Sequence, residues 1–238
     1  MPAVLPNLTR LLAGIPVPNT PLINASISLA HASLPTDGYN HVMRSWLNAQ
    51  AIINHLPASN RSAIDQEAVG VAAVLHDMGW AFDTAFVSED KRFEVDGAMA
   101  ARAFVEREGG RAWSSKHRQQ LVWDAIALHT TQDIARYKEA EVALVSGGVV
   151  TELVGPEIAK QMFGDLITVT QTEWEQIVAE FPQPGLRGYL RGVMVRLCGM
   201  KPETTYQNFV GDYGEEFLEG YEREGHRDVD LLESVLPE

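Results

Sequence analysis

The chain has 238 residues, of which 45% are apolar and 21% charged, so it can fold around one sizeable core without a second domain. Its formal net charge of −13 repels phosphate backbones and anionic membrane surfaces, which argues against nucleic acid or a membrane as a partner. A single cysteine, Cys198, forms no internal disulfide, the first residues lack the basic and apolar pattern of a signal peptide, and no apolar run approaches membrane-spanning length, so we expect a cytoplasmic protein.

The first predicted elements are an arm and two helices. Residues 1–36 are rich in proline and small residues, which predicts an arm lying over a single domain formed by residues 37–238. Apolar residues at helical spacing predict a helix over 39–56. Asp65 is the predicted N-cap of the next helix, and Gly79 its predicted end.

The middle of the chain continues as loop and helix. Residues 80–93 read as a connection with a charged turn, and Asp96 is the predicted cap of a helix over 97–108. Ser114 or Ser115 begins the following helix, which ends at His129.

The segment 138–154 is apolar and rich in valine and glycine, which fits a buried strand or a helix. We favour a helix, because no second strand-like run exists to satisfy the backbone of an isolated strand. Further helices are predicted at 155–163, 171–181, 186–199, 213–222 and 228–235. The fold class is therefore all-α.

Imidazoles stand at the predicted ends of three of these helices: His41, His76 and His129. Asp77 follows His76 directly, and consecutive helical side chains point about 100° apart, so a cation above that ridge can take a nitrogen and an oxygen. His41 opens its helix as His76 closes the next, and antiparallel neighbours bring such ends together. This mixed ligand set suits one divalent ion of zinc, iron or manganese.

Five strings carry a resemblance to a known family: 39–45, 75–79, 92–98, 127–131 and 201–206. In this order they resemble the HD-domain metal-dependent hydrolases, and most of all the fungal cyanamide hydratase branch. The resemblance implies an HD-domain helical bundle with His41, His76 and Asp77 as metal ligands, zinc being the foremost metal. One position departs from the pattern, because Glu152 stands where an aspartate is expected as the fourth ligand. Either Glu152 binds the metal, or the site has three ligands or is incomplete.

The activity that the resemblance implies is hydration of a small nitrile-like substrate, with cyanamide converted to urea as the type reaction. Asp77 would also accept or relay a proton, and Thr130, Thr131 or His129 would donate hydrogen bonds to the nitrogen that gains charge. His129 is expected beside the pocket, or else as a structural histidine at a helix end. Arg44 either orients the substrate or pairs with Asp77.

Three alternatives stay open beside this interpretation. The chain could hydrolyse a phosphomonoester or nucleotide, although no glycine-rich phosphate cradle is present. It could bind a metabolite or protein without catalysis. A di-iron site is disfavoured, because His117 and His129 on one helix would lie about 18 Å apart. The expected partner is a small molecule, and a homo-oligomer could form by exchange of the arm.

Overall fold

A computed structural model describes residues 9–237 of the chain. Over this range the predicted all-α class is confirmed, since two short strands are followed by helices to the end. The elements are β1 (Thr9–Leu12), β2 (Ile15–Pro18), α1 (Pro21–Ser33), α2 (Thr36–His55), α3 (Ala58–Ala63), α4 (Gln66–Leu75), α5 (Phe93–Glu108), α6 (Lys116–Ala127), α7 (Gln132–Ala135), α8 (Ala140–Phe163), α9 (Gln171–Glu180), α10 (Leu186–Met200), α11 (Val210–Phe217) and α12 (Asp228–Val235).

The described part of the predicted arm is regular structure. Strands β1 and β2 form an antiparallel hairpin, whose two turn residues Ala13 and Gly14 both have positive φ, the geometry of a tight hairpin turn. Helix α1 follows and packs against α4, burying Ile23 completely. Pro21 lies in the first turn of α1, where a missing N–H costs nothing, so proline content was a poor guide here. Residues 1–8 of the predicted arm lie outside the described residues.

Helices α2 and α8 form the centre of the fold, and α4 packs against both. They approach closely at Gly148, where an added Cβ would lie 2.5 Å from the carbonyl oxygen of Ser45. The helix predicted for 138–154 is thus confirmed, and it continues to Phe163. It is broken at Gly155, which has a φ of +79° and is followed by a proline. This close pairing fixes the register between the side chains of the two helices.

The segment Ala140–Leu166, which includes α8, is long and apolar enough to cross a membrane by length and composition. The expectation that no run approaches that length is therefore wrong. However, 72% of its most apolar window is buried inside the protein, which is typical of a core helix.

Two of the predicted helix caps are confirmed, whereas Gly79 does not end α4, which already ends at Leu75. Asp65 accepts the amide of Ala68 at 3.0 Å, and Ser115 caps α6. Asp96 is not a cap, because α5 begins three residues earlier, at Phe93. Its carboxylate is buried instead and forms an ion pair with Lys201 at 2.6 Å. The helix predicted for 213–222 is also displaced, since α11 spans Val210–Phe217.

Candidate metal centre

Three elements deliver the histidine and aspartate side chains of the candidate site. His41 lies in α2, His76 is the C-cap residue of α4, and Asp77 begins the turn that follows. The start of α5 presses on this turn, since a Cβ at Gly97 would lie 2.5 Å from the His76 carbonyl oxygen. A Cβ at Gly79 would collide with the carbonyl oxygen of Phe93, the first residue of α5. Glycines thus allow the backbone contacts that hold the His-Asp turn in place.

The predicted ligand atoms of His41, His76 and Asp77 form a triangle. The two Nε2 atoms are 3.2 Å apart, and each lies 3.1 Å from Oδ2 of Asp77. All three residues are buried. Ligand atoms of a tetrahedral zinc ion at ordinary bond lengths lie roughly 3.3 Å apart. The triangle therefore has the dimensions of one face of a metal coordination shell, and it is the group of residues that could hold a metal ion.

The Nδ1 atoms of the imidazoles set the direction of the opposite nitrogens. His76 Nδ1 lies 2.8 Å from the carbonyl oxygen of Ala73, and His129 Nδ1 lies 2.6 Å from that of Ile126. Both carbonyls belong to the last turn of a helix, and that of Ile126 also accepts the backbone N–H of His129 at 3.4 Å. Each Nδ1 therefore carries the hydrogen and donates it, which leaves the Nε2 lone pair directed away from the helix end.

The chemistry of the cluster fits a cation. Two Nε2 lone pairs that face each other at 3.2 Å repel unless a proton or a metal ion lies between them. Both carboxylate oxygens of Asp77 are buried against imidazoles: Oδ2 lies 3.1 Å from Nε2 of His41 and of His76, and Oδ1 lies 3.5 Å from Nε2 of His129. A buried carboxylate is costly unless it is paired or coordinates a metal. Two imidazole nitrogens and one carboxylate oxygen are also a donor set that zinc, iron and manganese accept, so the residues present fit a divalent cation.

The pKa values give the protonation states of the cluster without a metal ion. Burial by itself would lower the pKa of His41, but the charges of Glu152 and Asp77 and hydrogen bonds to both raise it to about 9. Burial would raise the pKa of Asp77, but the neighbouring imidazoles hold it well below its usual range. A proton on His41 therefore takes the place of the cation at neutral pH. Burial and the nearby His76 lower the pKa of His129 to about 4, so His129 is neutral.

Glu152, the candidate for a fourth ligand, does not join the triangle. His41 Nδ1 donates to its Oε2 at 2.8 Å, and Arg44 Nε donates to its Oε1 at 2.6 Å. The Glu152 carboxylate therefore lies at the Nδ1 edge of the His41 ring, whereas the cluster lies at the Nε2 edge. Glutamate reaches this position from α8 because Gly148, one turn earlier, lets α8 approach α2 closely.

Arg44 is also placed differently from both expectations. It pairs with Glu152 rather than Asp77, and it is buried away from the pocket. Its Nη1 donates to the carbonyl oxygens of Phe181 at 2.9 Å and Pro182 at 3.1 Å. Arg44 therefore connects the Glu152 carboxylate to the loop between α9 and α10.

A small, mostly apolar pocket of about 310 Å³ reaches the cluster. His41 and His129 line it, and the Trp80 ring stacks on His41 with the ring centroids 5.7 Å apart. Within the described range 9–237 no lysine or arginine lines the pocket, whose lining residues are His41, Trp80, Phe93, His129, Thr130, Gln132, Val149, Leu153, Leu190, Met194, Phe209 and Tyr213. His129 thus lies beside the pocket, with its Nε2 3.5 Å from Oδ1 of Asp77.

Thr130 lines the pocket, but its hydroxyl hydrogen is already engaged. It donates to Oε1 of Glu94 at 2.7 Å, and that carboxylate is also paired with Arg92. The Thr130 oxygen can therefore accept a hydrogen bond from a ligand, whereas the predicted role of its hydroxyl was to donate one.

Two further residues of the site were not singled out from the sequence. Trp80 covers His41, which only the fold shows. Glu94 is the acceptor for Thr130. The position of Trp80, three residues after the His-Asp pair, was the available signal.

A comparison of the chain with protein-family models and with curated proteins finds no match. The case for a function therefore depends on the geometry of the site.

Proposed function

We propose that this protein is a mononuclear metal-dependent hydratase or hydrolase that adds water to a small nitrile-like substrate, with cyanamide to urea as the type reaction. One observation carries the proposal: a buried triangle of two imidazole nitrogens and a carboxylate oxygen at a pocket of about 310 Å³. A site of this kind combines a cation with a cavity that admits only a small molecule.

His41, His76 and Asp77 would hold the cation, with zinc the first choice and iron or manganese as alternatives. A divalent cation held there supplies water activation, because it can lower the pKa of a water molecule from about 15.7 toward about 7. Hydration of a nitrile breaks one O–H bond of water, forms a C–O bond and places that proton on the nitrile nitrogen. Transfer of the second proton from oxygen to the same nitrogen then gives the amide, which for cyanamide is urea.

The residues of the chain divide the remaining work. His129 is neutral at pH 7, and its Nε2 faces the pocket beside Asp77, so it can accept the proton of the attacking water and return it to nitrogen. The Thr130 oxygen accepts an N–H of the substrate, since its own hydrogen is bound to Glu94. Trp80 shields the cluster from bulk water.

The pocket lining favours a neutral substrate over a phosphate ester. Phosphomonoester hydrolysis requires positive charge around three phosphate oxygens, and no cationic side chain lines this pocket. Arg44, Arg92 and Lys201 are each paired with a carboxylate elsewhere. A phosphohydrolase is therefore the second candidate, and a silent binding domain the third.

Metal analysis and an assay panel test the proposal. Zinc-loaded protein is expected to form urea from cyanamide, to lose this activity on chelation and to regain it with zinc, while nucleotides release no phosphate. The His76→Ala variant should lose both metal and activity, and His117→Ala, at an exposed helix position, should keep both. Phosphate release without urea supports the second candidate. Retained metal with neither product supports the third.

A further inference from the structure

We propose that Glu152 is a positioning residue that orients His41 toward the cation, and that Arg44 holds Glu152 in this role. His41, His76 and Asp77 would then be the protein ligands of the cation, without Glu152. The inference rests on the metal centre of the proposed function but not on its substrate.

The two oxygens of Glu152 are both committed, and both partners are donors. Oε2 accepts from His41 Nδ1 at 2.8 Å, Oε1 accepts from Arg44 Nε at 2.6 Å, and all three side chains are buried. A carboxylate has acceptors on both sides and can serve both partners at once. While these two hydrogen bonds persist, neither oxygen of Glu152 can reach the Nε2 edge of the His41 ring.

Arg44 makes the carboxylate necessary. A guanidinium has only donors, so the atom of residue 152 that faces Arg44 must be an acceptor. The Arg44 side chain cannot turn away, because Nη1 is held by the carbonyl oxygens of Phe181 and Pro182. In a Glu152→Gln variant the amide oxygen must therefore face Arg44, and the amide NH₂ must face His41 Nδ1.

That reversal would disable His41 as a ligand. An NH₂ group opposite Nδ1 favours the tautomer in which Nδ1 accepts and Nε2 carries the hydrogen, and a protonated Nε2 cannot bind a metal. Loss of a partner that orients a metal-bound histidine typically costs about 10–100-fold in metal affinity. Removing the Arg44 donors should lift the constraint, because the side-chain amide introduced at position 152 can then turn its oxygen to Nδ1.

The experiment measures zinc affinity by competition with a chromophoric chelator, without any substrate. We expect Glu152→Gln to weaken zinc binding about 10–100-fold. The double variant Glu152→Gln with Arg44→Met should then bind at least tenfold more tightly than Glu152→Gln alone. The control Glu157→Gln, an exposed glutamate on the same helix, should bind zinc like the unmodified protein. Unchanged affinity in Glu152→Gln, or no recovery in a double variant that melts cooperatively, would overturn the proposal.

A second measurement decides the case if the double variant does not fold. Proton and nitrogen NMR of the zinc-loaded, unmodified protein should show an Nδ1–H of His41 in a strong hydrogen bond, with Nε2 bound to zinc. In Glu152→Gln this proton resonance should move upfield or disappear, while that of His76 stays. A His41 Nδ1–H resonance that is unaffected by the substitution overturns the proposal. Neither measurement depends on urea formation, so failure of the proposed activity is a separate result.

Discussion

Two adjacent glycines in α8 allow a sharp test of how the helix pair builds the metal centre. At Gly148 an added Cβ would lie 2.5 Å from Ser45 O, 2.7 Å from Ala49 Cβ and 2.8 Å from Ala49 N, all in α2. At Gly147 the nearest atom is 3.3 Å away and is the flexible end of the Ile167 side chain. Alanine should therefore be damaging at position 148 and tolerated at position 147.

The size of the effect follows from these distances. Carbon atoms settle about 3.5–4.0 Å apart, so Gly148→Ala must push α8 away from α2 by about 1 Å. Such overpacking costs about 1–3 kcal/mol, and each kcal/mol lowers the melting temperature of a chain of this length by about 2–4 °C. Glu152 lies one turn beyond Gly148, so the 2.8 Å hydrogen bond to His41 would stretch beyond hydrogen-bonding distance. Gly147→Ala should instead gain up to about 1 kcal/mol from helix propensity.

Calorimetry of the apo proteins and zinc titration of both variants provide the measurement. We expect Gly148→Ala to melt about 2–12 °C lower and to bind zinc at least tenfold more weakly. Gly147→Ala should melt no lower than the unmodified protein and bind zinc equally well. Equal melting temperatures and zinc affinities for the two variants would refute the reasoning.

Three further predictions concern charge and hydrogen bonding. Without metal, the free energy of unfolding should fall as the pH rises from 6.5 toward 9, because the folded state raises the pKa of His41 and so favours its protonated form. Melting curves recorded at several pH values should lose this dependence when zinc is saturating. A free energy of unfolding that does not change with pH in the metal-free protein would contradict the prediction. Thr130→Val should raise KM about fivefold in steady-state kinetics, because it removes one hydrogen-bond acceptor for the substrate, and it should leave the zinc affinity unchanged in titrations. The control Thr131→Val should change neither quantity. An equal rise of KM in both variants would count against a role of Thr130 in the pocket. Lys201→Met should lower the free energy of unfolding by about 3–5 kcal/mol in chemical denaturation, because it leaves the buried Asp96 carboxylate without its cationic partner. Adding Asp96→Asn should restore most of this loss. A double variant as unstable as Lys201→Met would speak against a contribution of this ion pair.

Local patterns predicted the parts of the fold that local forces determine. The caps at Asp65 and Ser115 depend on hydrogen bonds three residues away, and both were recognisable from residue type and spacing. Asp96 has the same residue type but pairs with Lys201, which is 105 positions distant, so no local pattern distinguishes it from a cap. The hairpin over residues 9–18 was missed because proline content outweighed a two-residue turn.

The candidate site shows the same division. His41, His76 and Asp77 were predicted from their order and from a family resemblance, and the structure brings their ligand atoms together. The partner of Glu152 was not predictable, since a carboxylate at that position can face either edge of the His41 ring. The choice depends on how closely α8 approaches α2, which is a property of the packed helices.

The stacking of Trp80 on His41 has a kinetic consequence. His41, His76 and Asp77 are at most 1% exposed, so an ion reaches them through the pocket, and the Trp80 indole stacked on His41 forms part of its wall. Movement of this ring would widen the path. The exchange rate of the metal should therefore depend on how often the protein opens, and only weakly on chelator concentration. Replacing Trp80 with a smaller side chain should speed metal release far more than it changes the dissociation constant. The Trp80 indole would then control the rate of metal exchange, whereas His41, His76 and Asp77 determine the affinity for the metal.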